Sequence, residues 1–330
     1  MSDKTDLFAR RNRSRIVALV VFATLNYMLA IALAAVAVVV GVVVAFLFNA
    51  GELPGSLDET KWVGIGIGAV AAVSFVVGLV LGLVRIPFAR RRLEEQVLRE
   101  TGATISDGSD HVQVRNLLEG LAIAADIPPP RFAVIDDPAP NSFGVGTRPS
   151  AAIVGITTGL QEVLSRDEVE AVLAYEVSRI RSWDVALSSW TVALTGGAIS
   201  ALDGSDDNVL KALLGWPVRR FGEWLQVWAL RDQGVERDRE AVRFTRNPLS
   251  LVRALEKLDA DTSNVHRVTR ATAPLWIEFP SNVAAGAKTR SGKRLAGALL
   301  LDERIERLRA LAKDHTADTP ADPAPPATPS

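Results

Sequence analysis

Residues 16–48 form an apolar run that contains no charged side chain and is broken only by Thr24, Asn26 and Tyr27. A helix rising about 1.5 Å per residue needs about 20 residues to cross the hydrocarbon layer of a bilayer. The run is therefore long enough for one crossing, straight or tilted, and too short for two crossings and a turn. It also outlasts the apolar core of about 7–15 residues that a cleavable signal uses, and no small-residue cleavage site follows it. A second run, residues 62–84, has ordinary spanning length, with Trp62 where an interfacial aromatic would sit. Gly64, Gly66 and Gly68 lie within it, and with no strand before them they read as helix-packing glycines rather than a dinucleotide loop.

The flanks give an orientation. Lys4, Arg10, Arg11, Arg13 and Arg15 precede the first run, and Arg85, Arg90, Arg91 and Arg92 follow the second. The loop between them carries Glu52, Asp58 and Glu59 against Lys61 alone. Short loops rich in Lys and Arg stay in the cytoplasm. The expectation is a multi-pass protein of the plasma membrane, with residues 1–15 as a basic cytoplasmic terminus, 16–89 as a transmembrane hairpin and the main domain cytoplasmic. The bilayer is then its first partner.

Composition narrows the chemistry of that domain. There is no cysteine, which excludes disulfides, thiol catalysis and cysteine–metal sites. The 37 basic and 38 acidic residues balance to a net charge of −1, and no basic patch with interleaved aromatics offers itself to nucleic acid. Histidine occurs only at His111, His266 and His315. These lack metal-ligand spacing and read as lone surface residues.

Residues 114–125 have the period of an amphipathic helix, with Leu117, Leu118 and Leu121 on one face, and Pro128, Pro129 and Pro130 end it. Short strands are expected over 131–135, 141–145 and 151–156, separated by Pro138, Pro140 and Pro149. The clearest helix opens at Ser165, which with Glu168 has capping-box spacing, and runs to about Ser182. Residues 185–202 are apolar but short, fitting either a marginal third span or a buried hairpin helix. Residues 209–230 mix Lys211, Arg219, Arg220 and Glu223 with Trp216, Trp224 and Trp228, which fits a helix at the membrane surface or a packed tryptophan cluster. Helices are expected over 249–258 and from Ile305. After Lys313 the chain turns to Thr, Ala, Asp and Pro and reads as a disordered tail, residues 313–330. No G-x-S-x-G elbow is present.

The sequence from Leu164 to Asp184, LSRDEVEAVLAYEVSRIRSWD, resembles the active-site helix of HtpX-like membrane zinc metallopeptidases, L-x-x-D-E-x-x-x-V-L-A-H-E-x-x-H-I-x-x-x-D. In that motif, histidines at i and i+4 share a helix face and grip one zinc, while the glutamate activates the zinc-bound water. Here Tyr175 and Arg179 stand at the two histidine positions, and Glu176 and Asp184 remain. Pro140, Asn141, Ser142 and Phe143 resemble the family's P-N-A-F strand, and residues 151–160 its next strand and T-x-G-L turn. Aligning on Asp238, with Ala241, Pro248, Ala254 and Leu255 in register, puts Gly234 at the position of the third ligand, a glutamate. Asp302, Glu303, Arg304 and Ile305 resemble the segment H-P-P-x-E-E-R-I, whose histidine falls near Ala298. The resemblance implies an α+β, mainly helical, zincin-type peptidase domain over residues 90–312.

The resemblance also implies that the family's zinc ligands are lost. Arginine has no lone pair to give a metal, and tyrosine is a poor ligand near neutral pH. The expectation from these residues is a chain with no cofactor. Glu176 is left as a remnant general base, Tyr175, Arg179 and Gly234 as remnant ligand positions, and Asp184 and Asp238 as supporting carboxylates. Arg179, three residues from Glu176 on one helix, is expected to pair with it in the space the ion would fill, Asp238 being a second partner. Strand 141–145, with Asn141 and Phe143, is the expected edge for an extended peptide. The implied function is a pseudoprotease that binds unfolded or membrane-protein segments, or regulates an active protease in membrane quality control. Two other readings stay open: a working metallopeptidase using Glu176, Glu236 and Asp238 with magnesium or manganese, and a structural membrane scaffold.

Overall fold

The structure, a computed structural model, describes residues 3–50, 57–106, 110–202, 234–261, 263, 265–268, 272–277 and 301–317. Two compact units divide it: Arg13–Glu95 is one, and Met1–Asn12 with Gln96–Ser330 is the other.

The first unit is made from two long helices, α1 (Asp3–Ala50) and α2 (Leu57–Thr101), whose ends pass into the second. Both expected apolar spans fall inside them. Among the described residues no single helix is long and apolar enough to cross a membrane. One pair, Gly68–Val84 and Ile86–Thr101, passes by length and composition with a 41° bend. Pro87 follows that bend, where it removes a helical hydrogen bond and crowds the preceding turn. The helices approach through Gly78 and Gly82. A Cβ on Gly78 would lie 2.9 Å from Met28 Cα, and one on Gly82 would lie 2.8 Å from Thr24 Cγ2. This corrects the expectation for Gly66 and Gly68, which have nothing within 4 Å. Gly78 and Gly82, four residues apart, share the face turned to α1. Val17, Val21, Leu25, Val73, Val76 and Leu83 are exposed.

The second unit is built on a four-stranded sheet in the order β1-β2-β4-β3, from β1 (Thr104–Ile105), β2 (Arg131–Ile135), β3 (Ser142–Val145) and β4 (Ile153–Thr157). The β2–β4 pair is parallel and the others antiparallel. Three of these strands were expected. β4 starts later than the apolar pattern suggests because Pro149–Ala151 turns as a 3-10 helix. Gly155 on β4 is required by its partner: a Cβ there would clash with the Phe143 ring at Cε1.

Helix α3 (Val112–Ala124) lays Leu118 and Leu121 into the core, and Thr157 caps a short α4 (Thr158–Val163) by accepting from Leu160 N–H. Helix α5 (Arg166–Arg181) runs through the middle of the unit, with Val169, Val172, Leu173, Ala174, Val177 and Ile180 all buried. Around it pack α6 (Asp184–Leu202), α7 (Gly234–Thr245), α8 (Pro248–Ala260) and α9 (Leu301–Ala317). Ser182 and Trp183, the latter with φ of 61°, form the two-residue break between α5 and α6. The first part of α6 is buried, including Val185, Leu187, Ser188, Ser189 and Thr191. Asn247 caps α8 by accepting from Ser250 N–H, with Pro248 opening the helix.

Two further expectations are corrected. Helix α9 continues past Lys313 to Ala317, because Ile305, Leu308 and Ala312 give it a buried stripe. Of the histidines read as lone, His111 Nδ1 lies 2.8 Å from Gln161 Oε1, and His266 gives its backbone N–H to Asp137 Oδ2 at 2.8 Å. Residues 209–230 and 318–330, and the side chain of His315, lie outside what the structure describes.

Candidate functional site

The sequence of α5 fixes the site's frame. Glu168 Oε2 accepts from Ser165 N–H at 2.8 Å and pairs with Lys257 Nζ at 2.7 Å, which pins the start of α5 to α8. Two turns later Tyr175, Glu176 and Arg179 are buried at 4, 0 and 2% exposure. They face the sheet and the neighbouring helices, not solvent.

Arg179 donates from Nη1 to Glu176 Oε2 at 3.0 Å and to the Leu275 carbonyl at 3.0 Å. Its Nε reaches Asp184 Oδ2 at 3.4 Å. The other oxygen of Glu176, Oε1, accepts the Ser142 hydroxyl from β3 at 2.8 Å. Both carboxylate oxygens are thus engaged by the protein's own donors. The pairing of Arg179 with Glu176 expected from the sequence is present. Asp238 is not its second partner; that place is taken by Asp184, the residue that opens α6.

Asp238 has a partner of its own. Arg304, from α9, reaches it with Nε at 3.1 Å and Nη2 at 2.8 Å, a two-pronged grip. The Arg304 guanidinium also lies 4.6 Å from the centre of the Tyr175 ring. Arg237, on α7, closes the circle with Nη2 at 2.6 Å from Asp184 Oδ2 and Nη1 at 3.4 Å from the Tyr175 hydroxyl. Three guanidiniums therefore balance Glu176, Asp184 and Asp238, and the cluster ties α5, α6, α7, α9 and residues 272–277 together. Gly234 opens α7, one turn before Asp238. The side chain of Glu236 lies outside the described residues.

Electrostatics follow from this burial. Loss of water pushes the Glu176 carboxyl above its ordinary value, while Arg179 and Ser142 pull the other way. Burial works against the Arg179 cation, but Glu176 first, then Tyr175 and Asp184, hold its proton more firmly than in water. Arg304 behaves likewise, with Asp238 its main support. Such pairs offset their own desolvation only when every prong is used.

Phe143 lies on β3, the strand that ends the sheet, whereas Asn141, expected to open that strand, immediately precedes it. Phe143 is fully buried against Trp276, ring centres 5.3 Å apart, and Asn141 Oδ1 accepts from Ser142 N–H. The outer side of the strand is occupied there by the chain itself: Phe143 bridges Trp276, and Ile277 N–H donates to the Ser142 carbonyl at 2.9 Å.

Ser142, Arg237, Arg304 and the Leu275 carbonyl were not singled out in the sequence. Ser142 left a signal, because it stands where the P-N-A-F frame has alanine, and so adds a hydroxyl facing Glu176. Arg304 was visible within the D-E-R-I frame but had no assigned role. Leu275 left none, since a backbone carbonyl carries no sequence label.

Comparison with known proteins agrees with this frame. The model of peptidase family M48 matches residues 109–311. A Dictyoglomus turgidum protein named Protease HtpX homolog is 30% identical over 257 residues, covering 73% of this chain and 83% of the relative. Another of the same name from Streptococcus gordonii is 29% identical over 286 residues, covering 78% and 92%. One from Dictyoglomus thermophilum is 32% identical over 209 residues, covering 58% and 69%.

These matches overturn the expectation that no cofactor belongs to such a chain, because the M48 and HtpX-like likeness implies zinc. The donor set in hand does not fit that ion. Among the described residues, no three His, Cys, Asp or Glu side chains are grouped to hold a metal. A fixed guanidinium lies 3.0 Å from the Glu176 carboxylate, and a divalent ion beside it would meet repulsion in weakly screened surroundings.

Proposed function

This chain belongs to peptidase family M48, among its HtpX-like members, and on that premise we propose that it is a membrane-anchored pseudoprotease, one that binds unfolded or membrane-protein segments without cutting them. The observation that carries the reading is the state of Glu176. A general base must offer an oxygen to the water it activates. Glu176 has Oε1 on the Ser142 hydroxyl and Oε2 on Arg179, with no exposure to solvent.

The same contacts weigh against a working site built from carboxylates, since Asp238 is gripped by Arg304 and Glu176 by Arg179. Anchoring rests on the apolar runs 16–48 and 62–84 and on the outward-facing Val17, Val21, Val73 and Val76. The arginine clusters flanking those runs support a cytoplasmic M48 domain by the positive-inside rule.

The test is a cleavage assay on the full chain in detergent micelles, with fluorescein-labelled β-casein as substrate and zinc supplied. No peptide release above the enzyme-free rate is expected, and Glu176→Gln should behave like wild type. Release that disappears in Glu176→Gln would overturn the proposal.

A further inference from the structure

β3 is the terminal strand of the sheet, and a terminal strand offers unpaired backbone groups to whatever extended chain lies beside it. Residues 272–277 lie there. Trp276 pairs antiparallel with Phe143, and Ile277 N–H donates to the Ser142 carbonyl. Among the described residues the segment's pairing with β3 is an isolated bridge. Leu275 N–H and Trp276 N–H turn back to Thr272 and Ala273 carbonyls in a 3-10 turn, so within 272–277 it is Ile277 that gives a backbone N–H to β3. What else holds the segment is side-chain packing, with Leu275, Trp276 and Ile277 buried, and a clamp from Arg179 onto the Leu275 carbonyl.

We infer that residues 272–277 are a built-in stand-in for a bound peptide: they close the β3 edge antiparallel, Arg179 latches them, and an extended polypeptide binds by displacing them. This rests on the pseudoprotease reading and names its regulation. The chemistry of exchange is balanced. The incoming chain replaces the Ile277 N–H with its own donor to Ser142 and continues the ladder along β3, as strand addition does elsewhere. Arg179 gives up one carbonyl and keeps Glu176 and Asp184. The partner class is set by backbone pairing: an unfolded, extended segment, not a folded surface. Because the edge is competent only while the segment is away, the apparent affinity is lowered by the fraction of time it is closed.

The experiment uses the full chain in detergent with fluorescein-labelled β-casein as probe, read by anisotropy, together with backbone hydrogen exchange of the same samples. Saturating casein should speed exchange at Leu275, Trp276 and Ile277 while β2 and β4 keep their protection. Ile277→Pro, which lacks the donor to Ser142, should bind casein about fivefold more tightly, the ratio expected for one lost hydrogen bond of ordinary strength. Trp276→Ala, which removes the contact with Phe143 and keeps the backbone donor, should move in the same direction and serves if the proline variant does not fold. Casein binding with unchanged exchange at 272–277, or with unchanged affinity in the folded variants, would overturn the inference and leave the pseudoprotease reading intact. Cleavage dependent on Glu176 would remove that reading while leaving the displaced edge in place. No binding by wild type or either variant would sink both.

Discussion

Replacing Arg179 by methionine separates an arginine that holds the fold from one that merely fills space. The side chain is 2% exposed and serves Glu176, Asp184 and the Leu275 carbonyl at once. Methionine keeps much of the volume and none of the donors. Asp184 still has Arg237 at 2.6 Å, and Glu176 still has Ser142, so the loss is concentrated on one oxygen of Glu176 and one carbonyl. Breaking a buried pair from one side costs about 3–5 kcal/mol, and the partners that remain point to the lower end. At about 2–4 °C per kcal/mol for a domain of this size, the melting temperature should fall by roughly 6–12 °C at pH 8. The pH dependence has a definite sign. A buried Glu176 without its cation has a folded-state pKa raised still further above the ordinary 4.5. A raised acid contributes stability that is fully present below its unfolded value and lost as pH rises. The gap between variant and wild type should therefore be narrowest near pH 5 and widest at pH 8. Adding Glu176→Gln to Arg179→Met removes the stranded charge and should recover more than half of the loss. The assay is thermal unfolding in detergent followed by circular dichroism. A single variant that melts within about 1 °C of wild type at pH 8, or a double variant no better than the single, would refute the reasoning.

Other perturbations test separate parts of the structure. Ser142→Ala, which restores the residue found in the P-N-A-F frame, strips the hydroxyl donor from Glu176 Oε1; a loss of about 1–3 kcal/mol is expected in the same melting assay, and none would mean that the hydrogen bond carries no weight. Glu168 has its carboxyl below the ordinary range: burial opposes this, but the Lys257 and Ser165 hydrogen bonds prevail. Its stabilisation is therefore present above pH 4.5 and lost as pH falls, so Glu168→Gln should melt lower than wild type at pH 7, by about 1 kcal/mol, and converge with it in acid. A constant gap across that range would contradict the assignment. Gly155→Ala drives a methyl against the Phe143 ring, so about 1–3 kcal/mol should be lost, and circular dichroism showing an unchanged melt would mean that β3 shifts freely.

The buried cluster supplies cross-links of its own within the M48 frame. A zinc site cross-links helices through one ion; here the cross-links are Arg179 between α5, α6 and the Leu275 carbonyl, and Arg304 between α9 and α7. Each cation meets a carboxylate from another element, so fixed charges hold these elements together.

The elements that follow from local rules were legible in the amino-acid order. Periodicity and capping gave α5, because Ser165 and Glu168 set its start and its apolar stripe its length. Apolar alternation bounded by prolines placed β2, β3 and β4, and the frame around Tyr175, Glu176 and Arg179 named the family and the pairing of Arg179 with Glu176. It missed β1, whose two residues carry no periodicity, and it stopped α9 at Lys313, where the composition turns, although the helix runs on to Ala317. Tertiary structure alone decided which carboxylate answers which arginine. Asp184 reaches Arg179 because Trp183 breaks the helix and turns α6 back, whereas Asp238 lies against Arg304 because α9 docks beside α7. It alone decided that the β3 edge is closed, since residues 272–277 meet Ser142 and Phe143 across more than a hundred positions of chain through backbone groups common to every residue. Pairings of that kind depend on where folded elements bring two backbones together, and side-chain identity does not encode them.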